Sequence, residues 1–561
     1  MNKKLISLLL AMMMVIGMLA SCASKTSEEE VEAADTEESA RVSMTLTLAL
    51  PSDNFTEESR QQVEDALNRL TTAKYDTAIE LKLYPRDEYR DAYMAQLNAI
   101  TEMIAEEEAA AEAKRQELKE LKKQGITVVE TEEETVETVA EEETIINELG
   151  ISIKQYPEVG EKQFDIFLVT NYEDYYYLIE NELIQQLDGE LSGTSKVLKT
   201  YIYPTYLQLA NVEGTYAIPN NHPVGEYQFL LVNKQLVEDY YYDAGSLKTL
   251  LTCKDFIVDM GRQNIDGLIP LLGEVDAANM MYWGEDPDEW SIISSQITAS
   301  MSKGTKRTPQ STLANATYVN TVKMMKELNE LGYIGDGKVD EGETFAVGVI
   351  SGDASVYDTY GDDYYIYIYA KPMFTEQDVY GSMFAVSAYS KNLARSMEII
   401  TYLNTSKDIR TVLQYGAEGI HWEYVDEDTQ DTIKIISDDY QMDINDTGNV
   451  YMTYPDEGVS MDYWTYGKKQ NMEAQVSPYF LFKGAVNDVN AQQVKDLTPI
   501  SKDIKARIDA ATSAEFDDLI AALKTEVKEN EVCSALLDSK ENENSLVNVY
   551  SAWYEDMNPP A

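Results

Sequence analysis

The sequence contains few of the side chains that most catalytic and metal-binding sites use. Its 561 residues include two histidines, His222 and His421, and three cysteines. A site with several histidine ligands cannot be built, and a Ser-His-Asp arrangement has to use one of these two rings. The cysteines are far apart and have no histidine beside them, so we expect no metal site.

Basic residues are also scarce. The chain has 45 Lys and Arg against 99 Asp and Glu, a formal net charge of -54. Because such a surface repels phosphate backbones, we exclude nucleic acid as a partner. The sequence has no Gly-x-Ser-x-Gly motif, no phosphate-binding loop and no paired-cysteine motif, so we also expect no cofactor.

The sequence lacks an apolar run of the length that crosses a membrane, about 20 residues. The amino terminus instead has Lys3-Lys4, a shorter apolar run over residues 5–20, and then Ser21-Cys22. This pattern predicts an export signal over residues 1–21. Residues 19–22 resemble the lipobox of bacterial lipoproteins, which makes Cys22 the lipidated residue. The alternative is an ordinary signal peptide with a chance cysteine.

An acidic stretch without aromatic residues follows the export signal. Residues 28–38 cannot bury enough apolar surface to fold, so residues 22–43 are predicted to be a lipidated acidic tether. The folded part is expected to begin near Ser43. Of the cysteines, Cys253 and Cys533 remain, either as one disulfide or as two buried free thiols.

Apolar periodicities after Ser43 predict strands and helices in alternation. The predicted elements are strand 44–50, a helical stripe over 63–70, strand 79–84, helix 89–97 and strand 164–169. This order indicates a parallel open sheet with right-handed crossovers. Ligands of such sheets lie beyond the carboxyl ends of the strands, which places residues 53–55, Tyr84 and Asn171-Tyr172 at a binding mouth.

Residues 99–160 interrupt this alternation as a charged insertion. Residues 106–123 have a good helix composition. Residues 130–148 carry nine acids and no bases and are predicted to be disordered or a solvated arm. The insertion is either a partner-docking arm or, as its composition favours, a solvated surface elaboration.

Further strands are predicted at 228–232, 345–349 and 364–369, and helices at 397–403 and 497–527. Strand 364–369 alternates with period two, so that Tyr365, Tyr367 and Tyr369 share one face, where they either pack or line a cleft. His421 lies near Glu418 in a glycine-bracketed loop and is expected to brace a turn. His222, next to a proline, is expected to be a solvated loop residue.

Several segments, taken in their order and spacing, resemble motifs of one protein family. They are Gly214-Thr215-Tyr216-Ala217-Ile218-Pro219, Leu231-Val232-Asn233-Lys234-Gln235-Leu236, residues 379–392 with the helix after them, and Tyr415-Gly416-Ala417-Glu418-Gly419-Ile420-His421-Trp422. Together they are similar to the family 1 extracellular solute-binding proteins of ABC transporters, in particular to the larger lipoproteins of Gram-positive bacteria. Gln235 departs from the family pattern, which has Asp there.

The resemblance implies an α/β fold of the two-lobed, class II periplasmic-binding-protein type, with an interdomain cleft and the charged insertion added. It implies a first part of lobe 1 over residues 44–222, a first part of lobe 2 over 223–375, and a return crossing to lobe 1 over 376–561 with carboxyl-terminal helices shared between the lobes.

The resemblance also implies the function. The protein is expected to be a monomer on the outer face of a bacterial membrane that captures a sugar or oligosaccharide and delivers it to an ABC transporter permease. Sugars suit aromatic platforms with hydroxyls, amides and carboxylates. The side chains we assign to the cleft on this basis are Tyr84, Asn171, Tyr172, Tyr216, Trp283, Trp422 and Trp464.

Two alternatives stay open. One is a surface glycan-binding lipoprotein without a transport role. The other is a glycoside hydrolase, since acids are abundant and two carboxylates suffice for that reaction. We expect no enzyme, because abundant acids do not by themselves place two carboxylates around a bond.

Overall fold

The described part of the chain alternates helices and strands, as the apolar periodicities predict. The computed structural model describes residues 42–123, 144–146, 152–275, 293–295, 309–457, 462–476, 480–482, 488–538 and 540–557. Cys22, the acidic tether before residue 42 and most of the acidic stretch 130–148 lie outside the described residues. Residues 43–561 belong to one unit of tertiary contacts.

The strands of the described residues are numbered in chain order. They are β1 Met44–Pro51, β2 Thr77–Tyr84, β3 Thr144–Ile146, β4 Ser152–Lys154, β5 Ile166–Val169, β6 Ala217–Pro219, β7 Tyr227–Asn233, β8 Leu268–Leu271, β9 Ile293–Ser295, β10 Pro309–Ser311, β11 Thr344–Gly352, β12 Tyr364–Ala370, β13 Met373–Phe374, β14 Met383–Val386, β15 Trp422–Tyr424, β16 Ile433–Ile435 and β17 Gln475–Val476.

The α-helices of the described residues are numbered in the same way. They are α1 Glu57–Tyr75, α2 Arg86–Lys123, α3 Tyr172–Glu180, α4 Asp188–Ser192, α5 Leu198–Tyr201, α6 Pro204–Leu209, α7 Lys234–Asp239, α8 Lys254–Gln263, α9 Ala316–Glu330, α10 Val356–Tyr360, α11 Glu376–Tyr380, α12 Leu393–Thr405, α13 Lys407–Tyr415, α14 Asp462–Glu473, α15 Asp488–Ala510, α16 Phe516–Glu529, α17 Glu531–Leu537 and α18 Leu546–Met557.

The first large sheet has the strand order β2-β1-β5-β14-β6. β1 pairs in parallel with β2 and with β5, which confirms the predicted parallel sheet. β14 runs antiparallel between β5 and β6. β1 is almost wholly buried, as expected for a central strand with helices on both faces. We call this sheet and the helices packed on it lobe 1.

The second large sheet has the order β12-β7-β11-β8, in which β7 is antiparallel to both of its neighbours. We call this sheet and its helices lobe 2. Tyr365, Tyr367 and Tyr369 on β12 pack against the lobe 2 core, and the Tyr367 hydroxyl donates a hydrogen bond of 3.0 Å to the Ala244 carbonyl. The face that they share is therefore a packing face.

The carboxyl-terminal helices have a core of their own. The predicted helical region 497–527 forms α15 and α16, which pack with α17, α18 and partly buried side chains of α9, such as Tyr318 and Val322. Cys533 lies in this core, whereas Cys253 lies in the lobe 2 core, and both are free. Burial raises the pKa of Cys253 to about 12 and that of Cys533 to about 11, so the thiols stay protonated. The two cysteines do not form a disulfide.

The insertion begins as a continuation of a lobe 1 helix. The predicted helices 89–97 and 106–123 are one continuous helix, α2. Its first part is buried against lobe 1 through Tyr89, Tyr93 and Leu97, whereas residues 105–117 are exposed. Later in the insertion β3 pairs with β4 in antiparallel orientation.

A buried carboxylate joins three distant parts of lobe 1. Asp165, just before β5, is fully buried and accepts hydrogen bonds from five donors. They are the Thr47 amide (2.9 Å) and hydroxyl (3.2 Å), Gln163 Nε2 (2.8 Å), the Ser390 hydroxyl (2.8 Å) and the Lys391 amide (2.6 Å). Such bonds replace the water that the carboxylate loses on burial. Asp165 therefore fixes the loop after β14 against β1.

We expect Asp165→Asn to destabilise lobe 1 by about 2–4 kcal/mol, because the new amide group turns N–H donors towards groups that also donate. Urea unfolding followed by circular dichroism measures the loss. The matched control is Asp438→Asn at an exposed aspartate, which should change the unfolding free energy by less than about 0.5 kcal/mol. Equal midpoints for the two variants would contradict the role of Asp165.

Candidate functional site

The carboxyl ends of the parallel lobe 1 strands meet along one edge of the sheet. β2 ends at Tyr84, and β5 ends shortly before Asn171 and Tyr172. Because β14 is antiparallel, its first residue, Met383, reaches the same edge beside Pro219 at the end of β6. Ligands of open α/β sheets bind beyond this edge. The structure therefore groups Tyr84, Asn171 and Tyr172 as the sequence predicts.

Tyr172 lies half-buried in an aromatic group at this edge. Its ring centroid is 5.0 Å from that of Tyr380 and 6.2 Å from that of Tyr176. Burial, followed by the nearby Tyr176 and Glu376, raises the pKa of Tyr172, so its hydroxyl is protonated at neutral pH. The side chain thus offers both an apolar ring and a hydroxyl that can donate or accept a hydrogen bond.

Asn171 positions Tyr172 through the start of helix α3. Its side-chain oxygen accepts a hydrogen bond of 2.7 Å from the Asp174 amide, and its Nδ2 donates to the Asp174 carboxylate at 2.7 Å. Arg90 Nη2 also binds that carboxylate at 2.7 Å. Asn171 is therefore the N-cap of α3, with both ends of its amide engaged.

An arginine surrounded by carboxylates lies next to Tyr84. Arg86 Nη2 is 2.6 Å from Asp446 and 3.7 Å from Asp443, and Arg86 Nε is 4.0 Å from Asp53. Asp446 is buried, whereas Asp53 and Asp443 are exposed. Burial raises the pKa of Asp446, although Arg86 acts in the opposite direction. The edge therefore has one ion pair, between the buried Asp446 and the exposed Arg86, with two solvent-accessible carboxylates around it.

Three chain segments, the connecting segments, lie where lobe 1 meets lobe 2. Residues 220–226 lead from β6 to β7, residues 371–382 lead from β12 back to β14, and residues 474–476 follow α14. β13 in the second segment pairs in parallel with β17 in the third. The three segments therefore run side by side between the two sheets.

Polar side chains hold the three connecting segments together. Asn471 accepts a hydrogen bond of 2.9 Å from the Val224 amide and donates one of 2.7 Å to the His222 carbonyl. His222 is half-buried, with Nε2 3.4 Å from an Asp378 oxygen and Nδ1 2.9 Å from the Asn220 carbonyl, so it is not the solvated loop residue that the sequence suggested.

Glycine is required at one point of this junction. Gly225 has φ of +48°, and a Cβ there would lie 3.1 Å from the Met373 carbonyl oxygen and 3.2 Å from its amide nitrogen. Only glycine combines this backbone conformation with so close an approach of two chain segments.

Helix α14 contacts lobe 2 and the connecting segments. Lys469 Nζ lies 5.6 Å from the ring centroid of Tyr357 in lobe 2, and Glu473 lies 3.9 Å from Nζ of Lys371 in the segment 371–382. Trp464 is half-buried on the same helix, with its ring 6.0 Å from that of Tyr451. Trp464 therefore lies beside the junction of the lobes and not at the strand ends.

The other predicted cleft residues lie elsewhere. Tyr216 precedes β6, so it is at the end of that strand away from the carboxyl edge, and it packs against the lobe 1 core. Trp422 is on β15, is 2% exposed, and donates a hydrogen bond of 2.7 Å from Nε1 to the Gly416 carbonyl. His421 braces that turn, as expected, by accepting a hydrogen bond of 3.0 Å from the Ala417 amide at Nδ1. Trp283 lies outside the described residues.

Two features of the site were missed at the sequence level. Arg86 follows strand β2 by two residues, and this spacing alone could have marked it as an edge residue. Asp443 and Asp446 come from a segment some 360 residues later in the chain, and no local pattern links them to Arg86. The described ranges contain no group of three or more His, Cys, Asp or Glu side chains that could hold a metal ion. Nor is any helix in those ranges long and apolar enough to span a membrane.

Comparisons with known proteins give a local sequence match and a match of the whole fold. No family model matches the chain. A carbohydrate ABC transporter substrate-binding protein of Streptococcus pneumoniae serotype 4 is 32% identical over 113 residues. These residues are 19% of this chain, and the match spans 23% of the relative's length.

Solved structures extend the comparison to nearly the whole chain. The N-glycan transport solute binding protein of Streptococcus pneumoniae superposes with a TM-score of 0.53 at 15% identity, over 92% of this chain and 99% of that protein. The chain has the fold of the two-lobed solute-binding proteins. A family 1 extracellular solute-binding protein of Alicyclobacillus acidocaldarius covers 88% of this chain at 9% identity, with a TM-score of 0.40.

The solute-binding fold confirms the predicted fold class. The α/β architecture with two sheets joined by several crossings agrees with the resemblance that the motifs indicated. The domain boundaries and the ligand-binding roles of the individual side chains remain predictions.

We expect Arg86→Met to destabilise the protein more at pH 7 than at pH 4. Without Arg86 the pKa of Asp446 rises further, so the folded state holds a proton that the unfolded state releases. The free energy of unfolding then falls as the pH rises above the unfolded-state pKa of aspartate, near 4. We expect a loss of about 1–2 kcal/mol at pH 7, because Arg86 is itself half-exposed and screened by water.

Urea unfolding at the two pH values tests this expectation. Lys82→Met is the control, since Lys82 pairs at 3.2 Å with the partly exposed Glu80 and should have a small effect at either pH. A loss that is equal at both pH values would show that Arg86 does not act through the ionised Asp446.

Proposed function

We propose that this protein is an extracytoplasmic solute-binding lipoprotein that captures a sugar or oligosaccharide between its two lobes and delivers it to an ABC transporter permease. The observation that carries the proposal is the carboxyl edge of lobe 1, where the half-buried Tyr84 and Tyr172 lie with the exposed carboxylates Asp53 and Asp443. The local identity to a carbohydrate ABC transporter substrate-binding protein supports the choice of carbohydrate.

The side chains at this edge suit an uncharged saccharide. Aromatic rings pack against the apolar faces of sugar rings, and carboxylates accept hydrogen bonds from hydroxyl groups. The guanidinium of Arg86 is already bound to Asp446 and is flanked by two further acids. Since this leaves little positive charge for a ligand anion, sialylated or phosphorylated sugars should bind poorly.

The connecting segments would allow the lobes to close around the ligand. Closure of two rigid domains uses a few residues at the ends of secondary-structure elements. The segments at 220–226 and 371–382 meet this description, because each follows the end of a strand of one lobe and leads to a strand of the other. In the closed form, Tyr172 and Trp464 would contact the solute. A permease would then recognise this closed form of the monomer.

Binding without turnover is part of the proposal. Asp53 and Asp443 both approach the guanidinium of Arg86, an arrangement that suits hydrogen bonding to a ligand. A hydrolase would need a protonated acid and a second carboxylate on either side of a glycosidic bond.

We expect neutral oligosaccharides to raise the melting temperature of the protein and sialylated ones to leave it unchanged, since a ligand stabilises only the state that binds it. Tyr172→Ala should weaken the Kd about 5- to 30-fold, equivalent to about 1–2 kcal/mol for one half-buried ring. Isothermal titration calorimetry measures this change.

The control for Tyr172→Ala is Tyr241→Ala, because Tyr241 is 95% exposed in lobe 2. Stabilisation by peptides with no effect of any saccharide would show that the substrate class is wrong. Shortened products from a labelled oligosaccharide would show that the protein is an enzyme.

We further propose that Cys22 carries the lipid anchor. Labelling of producing cells with radioactive palmitate should give a labelled protein, and Cys22→Ala should abolish the label and release the protein into the medium. Cys253→Ala is the matched control, since this thiol is buried in lobe 2 and should have no effect on labelling. Equal labelling of the Cys22→Ala variant would contradict the anchor.

A further inference from the structure

Lobe 1 has a cavity on one of its helical faces, away from the carboxyl edge of the sheet. The cavity has a volume of about 520 Å³. Its walls come from the second half of α1, from α13 and from the loop and hairpin around β15, and we call it the α1–α13 cavity. Small-molecule sites in proteins commonly have volumes of about 300–1,000 Å³, so the cavity has room for a small ligand.

One wall of the α1–α13 cavity is aromatic. The ring centroids of Trp422 and Tyr424 are 5.1 Å apart, those of Tyr424 and Tyr454 are 5.4 Å apart, and both pairs are edge-to-face. Trp422 is buried and held by its bond to the Gly416 carbonyl, whereas Tyr424 and Tyr454 are half-buried. The wall is therefore anchored at its base and presents two tyrosine side chains to the cavity.

The turn before β15 adds to this rigidity. Gly416 and Gly419 have φ of +98° and +75°, which favours glycine at both positions. The Gly419 amide donates a hydrogen bond of 2.7 Å to the Trp422 carbonyl, and this closes the loop that carries Glu418. A binding site gains affinity when its side chains are held in place before the ligand arrives.

Polar groups around the aromatic wall are of the kind that bind hydroxyls. Asp408, Glu418, Gln430 and Arg69 line the cavity and are exposed. The Tyr454 hydroxyl donates a hydrogen bond of 3.0 Å to Asp408, which orients that carboxylate. Two carboxylates and an amide accept hydrogen bonds from hydroxyls, and the guanidinium donates. Because acids outnumber the base, the set disfavours an anionic ligand.

We propose that the α1–α13 cavity is a second binding site, for a neutral mono- or disaccharide, separate from the cleft between the lobes. The proposal depends on the side chains of the cavity itself and does not require the cleft to bind a sugar. It also gives Trp422 a role as the base of an aromatic wall, at a different site from the one that the sequence predicted.

Saturation-transfer NMR on the full chain in detergent tests the proposal, with maltose, cellobiose and N,N′-diacetylchitobiose as the neutral probes. We expect at least one probe to give a signal with the wild-type protein and with Tyr172→Ala. In the Tyr172→Ala background, where the cleft is weakened, the further double change Tyr424→Ala/Tyr454→Ala should reduce the remaining signal at least tenfold. The milder double variant Glu418→Gln/Tyr424→Phe, which keeps the packing volume, should reduce it by a smaller factor.

The outcomes separate this proposal from that of the cleft. If Tyr172→Ala alone removes the signal and the cavity variants keep it, the α1–α13 cavity is not a sugar site, and the proposed function stands. If the cavity variants remove the whole signal while Tyr172 is intact, the second site stands and the cleft assignment fails. Absence of any signal from the wild-type protein overturns the second site. An unchanged melting temperature of Glu418→Gln/Tyr424→Phe shows that its effect is not due to unfolding.

Discussion

The architecture depends on the insertion of β14 between β5 and β6. These three strands come from chain segments that are widely separated, and the four residues of β14 supply the backbone hydrogen bonds that complete the sheet. A buried strand cannot leave its amides and carbonyls unpaired, so the chain has to return from lobe 2 to lobe 1. The loop after β14 then meets the buried carboxylate of Asp165, which accepts hydrogen bonds from the Ser390 hydroxyl and the Lys391 amide.

This return also determines where the proposed ligand site lies. The chain crosses between the sheets beside the ends of the lobe 1 strands. Asn220 and Ser382 therefore lie next to each other at the same edge, where Asn220 Nδ2 donates a hydrogen bond of 2.8 Å to the Ser382 hydroxyl. The pairing of β13 with β17 and the bonds made by Asn471 add the third segment to the junction. The proposed cleft above this edge therefore has the connecting segments along its side, an arrangement in which ligand contact would be coupled to movement of the lobes.

The chemical character of the edge follows from its neighbours. Tyr172 is half-buried because Tyr380 and Tyr176 pack around it, and Arg86 is neutralised by Asp446 before any ligand arrives. The same combination of aromatic rings and carboxylates occurs again in the α1–α13 cavity, at Tyr424, Tyr454 and Asp408. In a chain with 99 acidic residues and 39 tyrosines, such combinations form readily, and only their burial and their fixed orientation distinguish a binding site from an ordinary surface.

The apolar repeats in the sequence predicted the strands β1, β2, β5, β7, β11 and β12, because such repeats depend only on neighbours in sequence. The alternation of strands and helices then predicted that β1, β2 and β5 are parallel, and with this that Tyr84, Asn171 and Tyr172 lie at one edge of the lobe 1 sheet. The tertiary structure alone decided that Cys253 and Cys533 lie in different cores, that Trp422 lies away from the strand ends, and that Asp446 meets Arg86. Each of these depends on which distant segments pack together, and that is set by burial and pairing across the whole chain.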